Sequence, residues 1–222
     1  MINKMTVMIL PVGLNCNMEC AYCYHAGKNL LQGKIHRMSD KILEKIIFES
    51  SQLAKNIDFL WHGGEPLLVG IDHFKKAVQI EKEINFTGRV RNIIQTNGVL
   101  LTQTFCDFFA KENFKISTSI DGTKKINDTN RRLTNGKGTY DKLKKAINLW
   151  RATGNNIGAV VLVTKTNVDF PIEVYRSIEE LNLTSCFFHL CSQNEACSID
   201  MIPGEKETFE FFNKAVKDTD DY

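Results

Sequence analysis

The sequence has no apolar run long enough to cross a lipid bilayer and no stretch typical of a secretion signal. Residues 1–10 are apolar, but Lys4 interrupts them and Pro11 and Gly13 follow, so they predict a first β-strand. A bilayer-spanning helix needs about 20 predominantly apolar residues. The seven cysteines are unevenly spaced, which fits a reducing compartment better than a disulfide framework. We therefore expect a cytoplasmic protein with no membrane partner.

An excess of charge of either sign is also missing. Twenty-eight Lys and Arg residues stand against 26 Asp and Glu, giving a formal net charge of +2. Nucleic-acid-binding domains usually carry a basic surface, so nucleic acid is not expected as a partner. No linker, low-complexity segment or internal repeat divides the chain. With 43% hydrophobic residues, residues 1–222 predict one domain with a substantial core.

Strand-like and helix-like segments alternate along the whole chain. The predicted strands are residues 6–12, 57–61, 90–96, 114–119, 157–164 and 185–190. The predicted helices lie near residues 39–54, 72–84, 102–112, 140–152, 168–181 and 205–216, with Ser39 and Asn167 as N-caps. Such alternation predicts a parallel sheet with right-handed crossovers. Because a closed eight-unit barrel usually needs roughly 250 residues, six units predict an α/β fold: a laterally open, partial (βα)6 TIM-like barrel.

Three cysteines, Cys16, Cys20 and Cys23, form a C-x3-C-x2-C triplet on the loop after the first predicted strand. Their sulfurs can converge on one inorganic centre, and a four-iron cluster held by three cysteines keeps one iron without a protein ligand. A closed structural zinc site with His25 as fourth ligand is the alternative, as are unrelated core thiols. The triplet alone leaves these interpretations open.

Glycine and polar residues follow the next predicted strands, at the sheet edge where parallel α/β folds carry their active sites. Gly63 and Gly64 lack a Cβ and let a ligand approach the backbone closely, and Glu65 can accept a hydrogen bond from an amine. The third strand ends in Gln95-Thr-Asn-Gly98, a sequence typical of a turn. An ordinary turn explains each of these loops when it is taken singly.

The fourth strand ends in a further set of polar residues. Ser119 and Asp121 carry a hydroxyl and a carboxylate suited to a ribose, although a capping turn is an alternative. Arg131 follows in a long connection, and a guanidinium group can bind a carboxylate. Taken together, the four loops favour one site shared by a metal cluster and a polar, zwitterionic small molecule.

These motifs resemble those of the radical S-adenosylmethionine (radical SAM) superfamily, in particular the branch containing anaerobic sulfatase-maturating enzymes and SPASM-type peptide maturases. The resemblance covers nearly the whole chain. It rests on the cysteine triplet with an aromatic residue before its last cysteine, and on GGEP at 63–66, QTNG at 95–98 and S-x-D-G at 119–122. It implies that Cys16, Cys20 and Cys23 bind a [4Fe-4S] cluster whose fourth iron is chelated by S-adenosylmethionine. Reductive cleavage would then yield methionine and a 5′-deoxyadenosyl radical, which abstracts a hydrogen from a substrate.

The resemblance also implies which side chains contact S-adenosylmethionine. Tyr22 would contact the adenine end, Ser119 the ribose and Arg131 the carboxylate, while the GGE segment would bind the methionine amine. The complete expected set is Tyr22, Gly63, Gly64, Glu65, Asn97, Ser119, Asp121 and Arg131. No catalytic residue is assigned.

The favoured function is that of a radical SAM enzyme acting on a peptide or protein side chain, with a reductant such as flavodoxin or ferredoxin. A glycyl-radical-enzyme activase or a small-metabolite enzyme is an alternative. A non-catalytic metal-binding or electron-transfer module, or a truncated core that needs a partner, is an alternative of another class. No counterpart of the cysteine-rich C-terminal extension common in this branch is expected, so formylglycine formation is not assigned.

Three further residues are candidate ligands. Cys191 and Cys197 follow the sixth predicted strand on the expected active face, but two cysteines are a poor ligand set for a second cluster. His62 directly precedes the GGEP motif, and we expect a hydrogen-bonded structural histidine there rather than a substrate contact.

Overall fold

The computed structural model describes residues 2–23, 36–84, 86–192 and 199–217. These residues contain one six-stranded parallel sheet whose strands follow the order of the chain. The strands are β1 (Ile2–Ile9), β2 (Ala54–Trp61), β3 (Arg89–Thr96), β4 (Lys115–Ser119), β5 (Ile157–Val163) and β6 (Ser185–Leu190). Within the described residues β1 and β6 form the two edges and do not pair with each other. The predicted open half-barrel is therefore confirmed.

Helices connect the strands and cover the outer face of the sheet. They are α1 (Asp40–Leu53), α2 (Ile71–Glu83), α3 (Gln103–Lys111), α4 (Lys124–Asn130), α5 (Tyr140–Arg151), α6 (Pro171–Glu180) and α7 (Glu205–Lys217). Short 3-10 turns span Pro66–Val69 and Ile199–Met201. In the part of the chain that the structure describes, no helix has both the length and the apolar character needed to span a membrane.

Several details differ from the sequence-based expectation. Strand β1 begins at Ile2 instead of residue 6, and it ends at Ile9 because Pro11 has no N–H to continue the ladder. Helix α4 was not predicted, since it is only seven residues long and mostly polar. Asn167 does not cap α6, which begins at Pro171. Instead Asn167 Oδ1 accepts from the Thr164 N–H at 2.8 Å, and its Nδ2 donates to the Asp121 carbonyl at 3.0 Å, so it fastens the end of β4 to the end of β5.

The alternation of side chains along each strand separates a packed outer face from an inner face that carries both polar and apolar residues. On β2, Ile57, Phe59 and Trp61 are at most 1% exposed beneath the helices. Asp58 points to the inner face, where Arg91 Nε donates to its Oδ1 at 2.9 Å and Lys4 Nζ lies 3.1 Å from its Oδ2. Burial raises the pKa of Asp58, but the hydrogen bonds from Arg91 and Lys4 outweigh it, so the pKa is lowered. These ion pairs occupy the amino-terminal half of the barrel and leave its carboxyl end for a ligand.

A partly buried carboxylate links α2 to the sheet. Asn92 Nδ2 donates to both carboxylate oxygens of Glu81 at 3.0 Å, and Asn92 Oδ1 accepts from Trp61 Nε1 at 2.8 Å. Burial raises the pKa of Glu81 to about 7. Between pH values of about 4.5 and 7, Glu81 is therefore protonated more often in the folded protein than in the unfolded chain. The contribution of this protonation to the free energy of unfolding is lost as the pH rises through this window.

The substitution Glu81→Gln should stabilise the folded protein increasingly as the pH rises. It removes a partly buried charge and keeps an amide oxygen for Asn92. We expect its free energy of unfolding, relative to the wild type, to increase by about 1–2 kcal/mol from pH 5 to pH 8. Denaturant unfolding at both pH values measures the difference. The exposed Glu44→Gln in α1 is the control, and a pH-independent difference for Glu81→Gln would contradict the prediction.

Candidate active site

A cavity of about 590 Å³ opens at the carboxyl ends of the strands. Strand residues on its walls are Met8, Leu60, Gln95, Thr96, Ser119, Val160, Leu162, His189 and Leu190. Loop residues on its walls include Cys16, Cys20, Tyr22, Cys23, His62, Gly63, Gly64, Asn97, Arg131 and Cys191. The cavity thus brings together the three cysteines and six of the eight residues expected to contact S-adenosylmethionine. The other two, Glu65 and Asp121, are fully buried behind its wall.

The cysteine loop is held by backbone hydrogen bonds from two distant segments. On one side, the Gly64 N–H donates to the Gly13 carbonyl at 3.0 Å, and the Glu65 N–H donates to the Asn15 carbonyl at 2.8 Å. On the other side, the N–H groups of Glu19 and Ala21 donate to the carbonyls of residues 132 and 130, at 2.8 and 2.9 Å. The loop therefore takes its shape from the GGE segment and from the end of α4.

The two glycines of the GGEP motif make room for this loop. A Cβ added to Gly63 would lie 2.5 Å from the Gly13 carbonyl oxygen, and one added to Gly64 would lie even closer to the Asn15 carbonyl oxygen. Gly63 also has a φ of +101°, in the region that favours glycine. The space that we expected a ligand to occupy is thus filled by the cysteine loop, although both glycines still line the cavity.

The sulfur atoms of Cys16 and Cys20 lie in surroundings that oppose negative charge. Burial raises the pKa of the Cys16 thiol to about 12, with the Glu65 carboxylate as the next contribution. Burial also raises the pKa of Cys20 to about 11, although Arg131 opposes this increase. Three thiolates at this position need a cationic centre, and soft sulfur ligands suit iron–sulfur clusters as well as zinc. The donor set therefore fits a [4Fe-4S] cluster.

A mononuclear site is not evident in the described part of the chain. No group of three or more His, Cys, Asp or Glu side chains within it could hold a single metal ion. His25, the alternative fourth zinc ligand, and Cys197 lie outside the described residues. Cys191 lines the cavity and packs against Tyr22. A second cluster at Cys191 and Cys197 stays untested.

The carboxylate of Glu65 joins three parts of the site. Its Oε1 accepts from the Leu67 N–H at 3.0 Å and from Thr96 Oγ1 at 2.7 Å, and its Oε2 accepts from the Asn97 N–H at 2.8 Å. Burial raises its pKa, while these three hydrogen bonds act in the opposite direction. The carboxylate is fully buried and does not line the cavity. A direct contact between the carboxylate and an amine stays a prediction.

A buried relay connects Arg131, Tyr22 and Asp121. Arg131 Nη1 donates to the Tyr22 hydroxyl at 2.7 Å, and that hydroxyl donates to Asp121 Oδ2 at 2.7 Å. Burial raises the pKa of Asp121, and the positive charge of Arg131 opposes this. Asp121 Oδ1 has no hydrogen-bond partner among the described residues. Tyr22 and Arg131 line the cavity as expected, whereas Asp121 supports them from behind.

Two other polar side chains project into the cavity with a defined hydrogen-bonding state. Ser119 Oγ accepts from Gln95 Nε2 at 3.0 Å, so its own hydrogen can be donated to a ligand. His62 Nδ1 accepts from the Gly63 N–H at 2.7 Å. Burial, followed by the charge of His189, lowers the pKa of His62, which is therefore neutral with its hydrogen on Nε2. His62 is both hydrogen-bonded, as expected, and part of the cavity wall.

Several wall residues were missed from the sequence. His189 stands at the end of β6 and its ring packs against Phe187 at 4.6 Å between centroids. Its position at a strand terminus was the available signal. No such signal marks the apolar wall residues Met8, Leu60 and Leu162. In the sequence, apolar residues that face inward cannot be distinguished from residues of the hydrophobic core. These three residues give the cavity an apolar part of its wall.

Known proteins resemble this chain in both sequence and fold. The family model for the radical SAM superfamily matches residues 10–181. A serine-type anaerobic sulfatase-maturating enzyme of Bacteroides thetaiotaomicron is 37% identical over 180 residues, which cover 79% of this chain and 44% of that protein. A cysteine-type anaerobic sulfatase-maturating enzyme of Clostridium novyi is 29% identical over 222 residues, covering 93% of this chain and 58% of the relative. The chain thus spans about half the length of these curated relatives.

The fold has a counterpart among solved structures. The structure described as native anSMEcpe with bound AdoMet superposes with a TM-score of 0.87 at 25% sequence identity. The match covers 96% of this chain and 59% of that one. The open half-barrel is thus a known architecture.

Proposed function

Because the chain belongs to the radical SAM superfamily, we propose that it forms the cofactor-binding core of an enzyme that abstracts a hydrogen atom from a peptide or protein side chain. The observation that carries this proposal is one cavity lined by the three cysteines and by Tyr22, Ser119 and Arg131. The same cavity thus offers sulfur ligands and hydrogen-bond donors.

The residues of this cavity suit a cluster and S-adenosylmethionine side by side. Cys16, Cys20 and Cys23 would hold a [4Fe-4S] cluster, and the Gly63–Gly64 backbone would receive the methionine amine. Arg131 would face the methionine carboxylate and Ser119 the ribose. When bound, the cluster and S-adenosylmethionine supply a one-electron cleavage that gives methionine and a 5′-deoxyadenosyl radical, the electron coming from an external reductant such as flavodoxin or ferredoxin.

A peptide or protein substrate is favoured by two observations. The half-barrel is open along the β6 edge, where Phe187 and Leu190 are 61% and 50% exposed. Curated relatives of this chain are sulfatase-maturating enzymes, which act on a protein. A large substrate can enter the cavity from such an open edge.

The test is anaerobic reconstitution of the protein with iron and sulfide, followed by dithionite reduction and addition of S-adenosylmethionine. We expect 5′-deoxyadenosine from the wild type and from Cys106→Ala, which removes a thiol of the outer core. Replacement of all three of Cys16, Cys20 and Cys23 by Ala should abolish both the brown chromophore and the product. A colourless, zinc-containing protein that never cleaves S-adenosylmethionine would overturn the proposal.

Substrate class is tested separately with peptides containing serine or cysteine deuterated at Cβ. Transfer of deuterium into 5′-deoxyadenosine would support action on a side chain. Cleavage of S-adenosylmethionine without transfer from any peptide would retain the radical SAM activity and refute the peptide substrate.

A further inference from the structure

Asn97, at the end of β3, contacts a cluster ligand through its side chain. Its Nδ2 lies 3.6 Å from Cys16 Sγ and 2.8 Å from Asn17 Oδ1. A nitrogen–sulfur distance of this size is that of an N–H···S hydrogen bond, because sulfur is larger than oxygen. The primary amide has two hydrogens, so it can serve both acceptors.

The orientation of this amide is fixed by its surroundings. Asn97 Oδ1 accepts from the Val99 N–H at 2.9 Å, and the Asn97 N–H donates to Glu65 Oε2 at 2.8 Å. Exchanging the oxygen and nitrogen would place the amide hydrogens against the Val99 N–H and the amide oxygen against Asn17 Oδ1. Asn97 is also only 9% exposed, which limits the competition of water for these contacts. The amide therefore presents a hydrogen, and not a lone pair, to the sulfur.

Hydrogen bonds to the sulfurs are one of the factors that set the reduction potential of an iron–sulfur cluster. A donor near a cysteine sulfur stabilises negative charge there, and the reduced cluster carries one more negative charge than the oxidised cluster. The donor consequently favours reduction. Its effect is strengthened where the site is partly buried, because solvent screens the interaction less.

We propose that Asn97 is a positioning residue that raises the reduction potential of the cluster through its hydrogen bond to Cys16 Sγ, rather than a direct contact to S-adenosylmethionine. This inference rests on the proposed function, since it requires a cluster at the three cysteines. In this proposal, the reduction of [4Fe-4S]2+ by one electron to [4Fe-4S]1+ depends on the amide group of Asn97. The electron comes from an external reductant, which is dithionite in the test.

The test compares the midpoint potentials of reconstituted wild type, Asn97→Leu and Asn97→Asp in an anaerobic redox titration followed by electron paramagnetic resonance. Both variants lose the donor, and Asn97→Asp keeps an oxygen for the Val99 N–H. We expect both midpoints to become more negative, with the reduced-to-oxidised ratio at a fixed potential falling about tenfold, which equals about 59 mV for one electron. The matched control is Gln95→Leu, which removes an amide from the same cavity without touching a cysteine.

The outcomes separate this inference from the proposed function. A wild type that forms no cluster refutes the proposed function. A cluster with equal midpoints in wild type and Asn97 variants, or an equal shift in Gln95→Leu, refutes only the role of Asn97. Should the variants fail to hold a cluster, wild-type protein labelled with 15N at asparagine side chains decides: a 15N hyperfine coupling at the reduced cluster supports the hydrogen bond, and its absence refutes it.

Discussion

Gly64→Ala is expected to prevent the cysteine loop from reaching its position. The added Cβ would overlap the Asn15 carbonyl, a backbone atom that cannot move away like the end of a side chain. Relief of the overlap would also break the hydrogen bonds from Gly64 N–H to Gly13 and from Glu65 N–H to Asn15. We expect a loss of about 3 kcal/mol or more in the free energy of unfolding. The same free-energy penalty, applied to binding of the cluster, would lower the binding constant for the cluster about 100-fold.

Iron and sulfide content after reconstitution, together with denaturant unfolding of the iron-free protein, measures both effects. Gly204→Ala is the matched control, because its added Cβ would meet only Glu207 Oε2, at an ordinary 3.5 Å. Near-normal iron content in Gly64→Ala would show that the loop does not depend on this backbone contact.

Arg131→Met is expected to destabilise the protein by about 3–5 kcal/mol, the usual cost of leaving a buried charge without its partner. Asp121 is fully buried, and its carboxylate shares the Tyr22 hydroxyl with Arg131. Without the guanidinium, the pKa of Asp121 rises further above its unfolded value. The destabilisation should therefore be larger at pH 8 than at pH 5, because a raised carboxyl pKa stabilises the folded state only where the group is protonated.

Denaturant unfolding of the iron-free variants at pH 5 and pH 8 measures both the loss of stability and its dependence on pH. Asp121→Asn in the Arg131→Met background should recover at least about 2 kcal/mol, since the buried negative charge is then absent. The neighbouring exposed Arg132→Met should cost no more than about 0.5 kcal/mol. A double variant no more stable than Arg131→Met would show that the charge of Asp121 is not what Arg131 neutralises.

Element order and architecture were predictable because they depend on local periodicity. Six apolar runs separated by amphipathic segments sufficed for the half-barrel, and the loops after the first four strands did converge. The seven-residue helix α4 was missed, because its polar sequence Lys124–Asn130 lacks a repeating apolar face. Asn167 was misassigned because a capping residue and a residue that ties two strand ends together look alike in sequence.

The roles of individual site residues were less predictable, since they depend on contacts between distant segments. Nothing near Gly64 in the sequence indicates that residues 13–15 fill the space above it. The orientation of Glu65 follows from donors at positions 67, 96 and 97. Tyr22 similarly meets partners 99 and 109 positions away in the chain.

The two-sided support of the cysteine loop also determines when this loop can reach its final shape during folding. The three cysteines lie at positions 16–23, but the backbone partners of their loop lie at positions 64–65 and at residues 130 and 132. Half of these partners are therefore more than 100 positions away in the chain. Contacts between such distant positions form slowly, so the loop reaches this shape only after both segments have packed against it, and a metal centre bound as proposed would assemble late in folding.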